Sequence, residues 1–139
     1  MSTITLEVAT KIAQTAYAEG AARNVVNMSV VITDAGGHVR LAMRADGQGI
    51  FGVDIAKGKA ITALGFGRNT SLMGNFEAAG VAGLSGVTGG RFLPIGGGVL
   101  ARDDAGNLLG AAAVAGGAPA VDEEIIIAAV EAAGLKVLR

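Results

Sequence analysis

The chain has 139 residues, with 11 Lys and Arg against 12 Asp and Glu, one His and no Cys. That length suits one domain with a sizeable core. The missing Cys excludes disulfides and thiolate metal sites, and a formal charge of −1 without a basic run argues against a nucleic-acid partner.

Hydrophobic residues make up 51% of the chain but aromatics only 4%, so Ala, Val, Ile and Gly carry the apolar character. Such a chain is expected to cover apolar area in a homo-oligomer. No apolar run reaches the ~20 residues of a bilayer span, so no membrane partner is expected. No basic segment followed by an apolar run opens the chain, and the expected location is cytoplasmic.

Thr3 or Thr5 can cap a first helix with Glu7 in its first turn, and Val8, Ala9, Ile12, Ala13 and Ala16 give it one apolar face. Gly20 or Asn24 ends it. From Met28 the period becomes two. Met28, Val30 and Ile32 alternate with Ser29, Val31 and Thr33, and after the turn Asp34 to Gly37 the alternation resumes through Val39, Leu41 and Met43. This reads as a β-hairpin with one buried face.

The spacing predicts a helix from about Ile50 to Phe66, with Gly52, Ala56, Ala60 and Ala63 as a small-residue face and Asp54 and Lys57 placed to pair. A short helix from Asn69 or Thr70 through Ala79 and a glycine-rich loop from Gly80 to Gly90 follow. A second hairpin runs from Val99 to Arg102 and from Leu108 to Ala115, echoing the first across its turn. Pro119 opens a helix with Asp122, Glu123 and Glu124 near its start, Gly134 caps it, and Leu135 to Leu138 can add a last strand. Hairpins joined by helices describe an α+β domain with an antiparallel sheet.

The stretch from Gly89 to Glu124 concentrates chemistry. Arg91 and Phe92 stand between Gly89-Gly90 and the triplet Gly96, Gly97 and Gly98, and three acids follow Gly116-Gly117. Glycine lets backbone approach a ligand where a side chain would block it. It equally serves tight turns.

The segments SVVITDAGGHVR, VDIAKGKAITA, GGRFLPIGGGVLA and GAAAVAGGAPAVDEEI, in this order and spacing, resemble the GlcG/HbpS-like family along nearly the whole chain. The resemblance implies a profilin-like α+β sandwich, a five-stranded antiparallel sheet flanked by helices. It also implies homo-oligomers from dimer to octamer and haem as the cofactor. The chain departs from the secreted haem binder of that family in lacking a secretion signal and in having one His.

His38 is therefore the one imidazole available to an iron, and it is equally a solvated turn residue. Tyr17, Met28, Met43 and Met73 are weaker alternatives. Lys59 matches the family's helix lysine and falls by spacing on the apolar side of its helix, where it either snorkels or reaches into a pocket. Arg91 suits a carboxylate or phosphate, or a structural ion pair with Asp122, Glu123 or Glu124. Those acids also answer the helix dipole. The ligand-binding candidates are Lys59, Arg91, Phe92, Gly96, Gly97, Gly98 and His38. A cleft is expected where Arg91, Gly96, Gly97 and Gly98 meet Asp122 and Glu123 at one end of the sheet under the Lys59 helix.

Two functions are weighed. One is a binding module for haem or a related planar, anionic ligand at a subunit interface. The other is a cofactor-free isomerase, hydratase or lyase acting on a small anionic metabolite, with Lys59, Asp122 and Glu123 catalytic. No phosphate-loop motif, Ser-His-Asp set or metal site is legible.

Overall fold

In the computed structural model, residues 2–139 are described. Helix α1 (Leu6–Ala22) starts where Thr5 Oγ1 accepts from the Val8 amide at 3.2 Å, and just past its end Asn24 adopts φ 59°. Strands β1 (Ser29–Asp34) and β2 (Val39–Arg44) form the first hairpin, and α2 (Gly52–Phe66) follows. A 3-10 turn (Thr70–Leu72) leads to α3 (Ala78–Val87). Strands β3 (Gly98–Arg102) and β4 (Leu108–Ala115) form the second hairpin, and α4 (Pro119–Ala132) closes the order.

The sheet has four strands in the order β2-β1-β4-β3, every neighbouring pair antiparallel. The two hairpins join through β1 and β4, as their echoing turns suggest. The expected five-stranded sheet is corrected here. Leu135 to Leu138 contributes one isolated bridge, Arg102 to Lys136, and no fifth strand. The outer edge of β3 is met by side chains instead. Asn69 Oδ1 accepts from the Leu100 amide at 3.1 Å and Thr70 Oγ1 from the Gly98 amide at 3.0 Å, so the backbone donors that a fifth strand would pair are already satisfied.

Helices cover both faces. Val30, Ile32, Val99, Ala112 and Val114 pack with α1 and α4, while Val31, Leu100, Ala111, Ala113 and Ala115 pack with Ala56, Ala60 and Ala63 of α2. Successive residues of a strand point to opposite faces, so each central strand feeds two cores. This corrects the single buried face expected for the first hairpin: β1 is buried on both sides, and only the edge strand β2 is largely exposed. The small side chains of α2 let it lie close on the alanines of β4.

The segment Gly80 to Gly90 is mostly helix α3, not a loop, and the helix expected from Asn69 or Thr70 through Ala79 shrinks to one 3-10 turn. Helix α3 buries none of its residues. Asp54 and Lys57 form no ion pair among the described residues, both being exposed.

Candidate functional site

The α2 face that packs on β4 carries Lys59 one turn beyond Ala56, and burial of that face takes the lysine inside. Its side chain is 3% exposed, and that of Asp122 on α4 is 1% exposed. Lys59 Nζ donates to Asp122 Oδ2 at 3.0 Å and to the Val114 carbonyl at 2.9 Å. Asp122 Oδ1 accepts from the Gly117 amide at 2.8 Å. The two helices lie on opposite faces of the sheet, so the pair crosses from one layer to the other at the end of β3.

Glycine makes that crossing fit. A Cβ on Gly97 would stand 2.8 Å from Lys59 Nζ and 2.9 Å from Asp122 Cβ, and its φ is +120°. A Cβ on Gly98 would stand 2.6 Å from the Lys59 carbonyl oxygen. Gly97 and Gly98 thus give way to the protein's own lysine and aspartate. Gly96 lies instead against Pro119.

The three acids separate. Asp122 takes Lys59, Glu123 accepts from Ser71 Oγ at 2.7 Å, and Glu124 lies 3.5 Å from Arg23 Nε. Arg91 does not join them, contrary to the expected meeting at the sheet end. Its Nε donates to the Thr88 carbonyl at 2.7 Å and its guanidinium is exposed, while its own carbonyl accepts from Thr62 Oγ1 at 3.3 Å. The Thr62 hydroxyl also takes the Leu93 amide at 2.8 Å, so the loop is pinned to α2 and the Arg91 side chain is turned outward.

Outward of α2 lies an open groove of about 310 Å³, lined by Phe51, Asp54, Ile55, Gly58, Arg91 and Leu93, with Phe92 at its base. Phe51 is 68% exposed and Ile55 41%, while Phe92 is buried between Phe66 and Phe76 at ring distances of 5.5 and 5.2 Å. Arg91 also borders a second hollow, of about 260 Å³, against Gly36, Gly37, Ile61 and Leu64. Phe51 escaped the sequence reading, which set Ile55 with Lys59 on the apolar side of α2 and not in an exposed groove. The spacing of four from Phe51 to Ile55, on the side of α2 away from its small-residue face, was the available signal.

His38 follows Gly37 in the β1–β2 turn, its side chain 82% exposed. Its Nδ1 lies 3.2 Å from Asp34 Oδ1, and Asp34 also accepts from the amides of Gly36 and His38 at 2.9 Å. These bonds, the His38 amide first, hold the Asp34 carboxyl below the usual carboxylate range. An imidazole whose Nδ1 is held by a carboxylate presents Nε2 outward, the arrangement common in metal-ligating histidines. Among the described residues no cluster of three or more His, Asp or Glu could hold a bare metal ion. No helix of the described residues is long and apolar enough to cross a membrane.

A family model described as "Haem degrading protein HbpS-like" matches residues 4–131. No curated protein matches the sequence. Among solved structures, the chain is similar to protein ORFY of Klebsiella pneumoniae, with 25% identity, a TM-score of 0.86 and coverage of 96% of this chain and 92% of that one. A double mutant of HbpS from Streptomyces reticuli gives 27% identity, a TM-score of 0.78 and coverage of 95% and 88%. A PduOC:heme complex gives 22% identity, a TM-score of 0.85 and coverage of 99% of both chains, a likeness of fold.

Proposed function

The chain belongs to the family described as haem degrading protein HbpS-like, and from that premise we propose that it binds haem in the groove outward of α2. The observation that carries this reading is the exposed apolar shelf of Phe51 and Ile55 beside the outward-turned Arg91. A planar macrocycle with carboxylate side arms needs an apolar surface and a cation at its rim. Arg91 supplies the cation, with no carboxylate of the protein paired to it among the described residues. The groove lies at the small end of ligand sites, which run from about 300 to 1,000 Å³, and it is open on one side. A second copy of the chain would cover the remaining face of the ligand.

His38, with Nδ1 on Asp34, is the one imidazole of the chain; it does not line this groove, so it would serve as iron ligand from a second copy of the chain. Bound haem would supply an iron centre for redox chemistry, and the protein's share is to orient it and set its ligand. The reading as a proton-transfer enzyme gains no observation of its own, because Lys59 and Asp122 are satisfied by each other and by backbone.

Haemin titration tests the proposal. A saturable Soret band at a fixed ratio of haem to chain is expected. Arg91→Ala should weaken binding by about 1.5–3 kcal/mol, the range of a charge-assisted contact, or roughly ten- to a hundredfold. His38→Ala should change the spectrum with the band still present. A parent chain without a saturable band overturns the haem reading, and an unaltered H38A spectrum removes His38 as ligand.

A further inference from the structure

At the far end of α2, three arginines converge on a separate cavity of about 100 Å³. Arg68 follows the helix-ending Gly67, Arg102 ends β3, and Arg139 comes from the C-terminal segment, with Leu72, Leu100 and Leu138 as apolar walls. Arg139 pairs with Glu131 at 2.6 Å. Arg102 Nη1 donates to the Gly106 carbonyl at 3.2 Å, and Arg68 makes no ion pair or side-chain hydrogen bond among the described residues. Glu131 is thus the one side-chain carboxylate paired with these three guanidinium groups, in a molecule whose formal charge is −1. The nearby Lys136 does not offset them, being itself a cation 3.9 Å from Asp104.

Arg102 is also incompletely satisfied by the protein itself. Arg102 Nε is closed off from solvent and has no hydrogen-bond partner, alone in this among the buried side-chain nitrogens and oxygens of the described residues. Buried donors are nearly always paired. Asn69, the other polar side chain at the cavity, is engaged by the Leu100 amide and the Leu138 carbonyl and offers Arg102 nothing. The negative end of the α2 dipole accounts for one cation near Arg68, but it does not account for three. Bulk water occupies about 30 Å³ per molecule, so the cavity has room for a group of a few heavy atoms.

We propose that this cavity binds a small oxyanion, a phosphate or carboxylate group, between Arg68, Arg102 and Arg139. The planar guanidinium fork matches both groups bidentately. The site lies at the opposite end of α2 from the shelf of Phe51 and does not depend on haem.

The test follows the arginine Nε–H resonances of the full chain in ¹H–¹⁵N spectra during titration with inorganic phosphate, with sodium acetate, and with sodium chloride at matched ionic strength. The Arg102 Nε–H signal should move saturably with phosphate or acetate and not with chloride, and the two arms tell a phosphate site from a carboxylate site. Arg68→Gln, at an exposed and unpaired position that folding does not need, should weaken that binding by about tenfold, the loss of one charge-assisted contact. The proposal is overturned if neither oxyanion moves the Arg102 signal, if chloride reproduces the shift, or if R68Q binds as tightly as the parent.

Discussion

Lys59 and Asp122 leave water together, and each is held by a backbone group as well as by the other. The net worth of such a pair is small, but its rupture is costly, because one partner alone is a buried charge. Lys59→Met and Asp122→Asn are each expected to lose about 3–5 kcal/mol in urea denaturation. Lys59→Met with Asp122→Leu should lose less than the two single losses combined, since removing both charges leaves neither stranded. Acid acts elsewhere. Asp34 is held below its usual range chiefly by the His38 amide, and Asp103 chiefly by the Asn107 side chain. A depressed carboxyl favours the fold while it is ionised, so this contribution is complete above the ordinary value of 3.8 and lost as pH falls below it. Denaturation midpoints measured against pH should flatten on the acid side in D34N and D103N. The sequence placed Lys59 on the buried side of its helix correctly. It did not say which of three adjacent acids turns in, although Asp122 stands three, four and seven residues before the buried Ile125, Ile126 and Ala129. Arg91 was legible as a cation among glycines, but its direction was not. That direction follows from Thr62 pinning the loop and the Thr88 carbonyl taking Nε, contacts that exist only once the chain is folded.

Helix α3 shows where elements escape a reading of pattern. Periodicity reveals a helix by the face it buries, and α3 buries none, while Gly80, Gly83 and Gly86 suggest a loop. Each glycine inside a helix costs about 0.5–1 kcal/mol relative to Ala. A Cβ at Gly83 meets open space, so Gly83→Ala should stabilise α3 by about that amount. Hydrogen exchange would show it as slower exchange of the α3 amides, which in the parent should exchange well before those of α1 and α2. Unchanged α3 rates in G83A would mean that something other than helix propensity limits its opening. The last strand failed for a different reason. Leu135 to Leu138 carries strand-like alternation, with Leu135 and Val137 buried, but the edge it would pair is occupied by Asn69 and Thr70, and no local pattern announces a side chain standing in for a strand.

At the scale of the molecule, both hairpins, the antiparallel sheet and its helices were legible because alternation and helical spacing persist over many residues. The two-faced burial of β1 was not, since Ser29 and Thr33 read as solvent-facing yet are fully buried. Ile50, Phe51 and Ile55 leave a broad apolar area outward at the start of α2, and Val87 does the same at the end of α3. Areas of this kind on a small domain mark association surfaces. Light scattering is expected to give a whole-number multiple of the 13.7 kDa chain mass, at least two, at micromolar concentration. A mass near a single chain would count against a shared groove.

The buried pair that crosses the sheet also bears on descent. Lys59, Gly97 and Asp122 lie far apart in the chain, yet each tolerates its present form because of the other two: the cation needs its anion, and both need the passage that a missing side chain leaves open. A change at one position strands a charge or blocks the gap, so a single step at any of the three is expected to cost stability. Related sequences are expected to change the three together, and a relative altered at one position alone would count against this coupling.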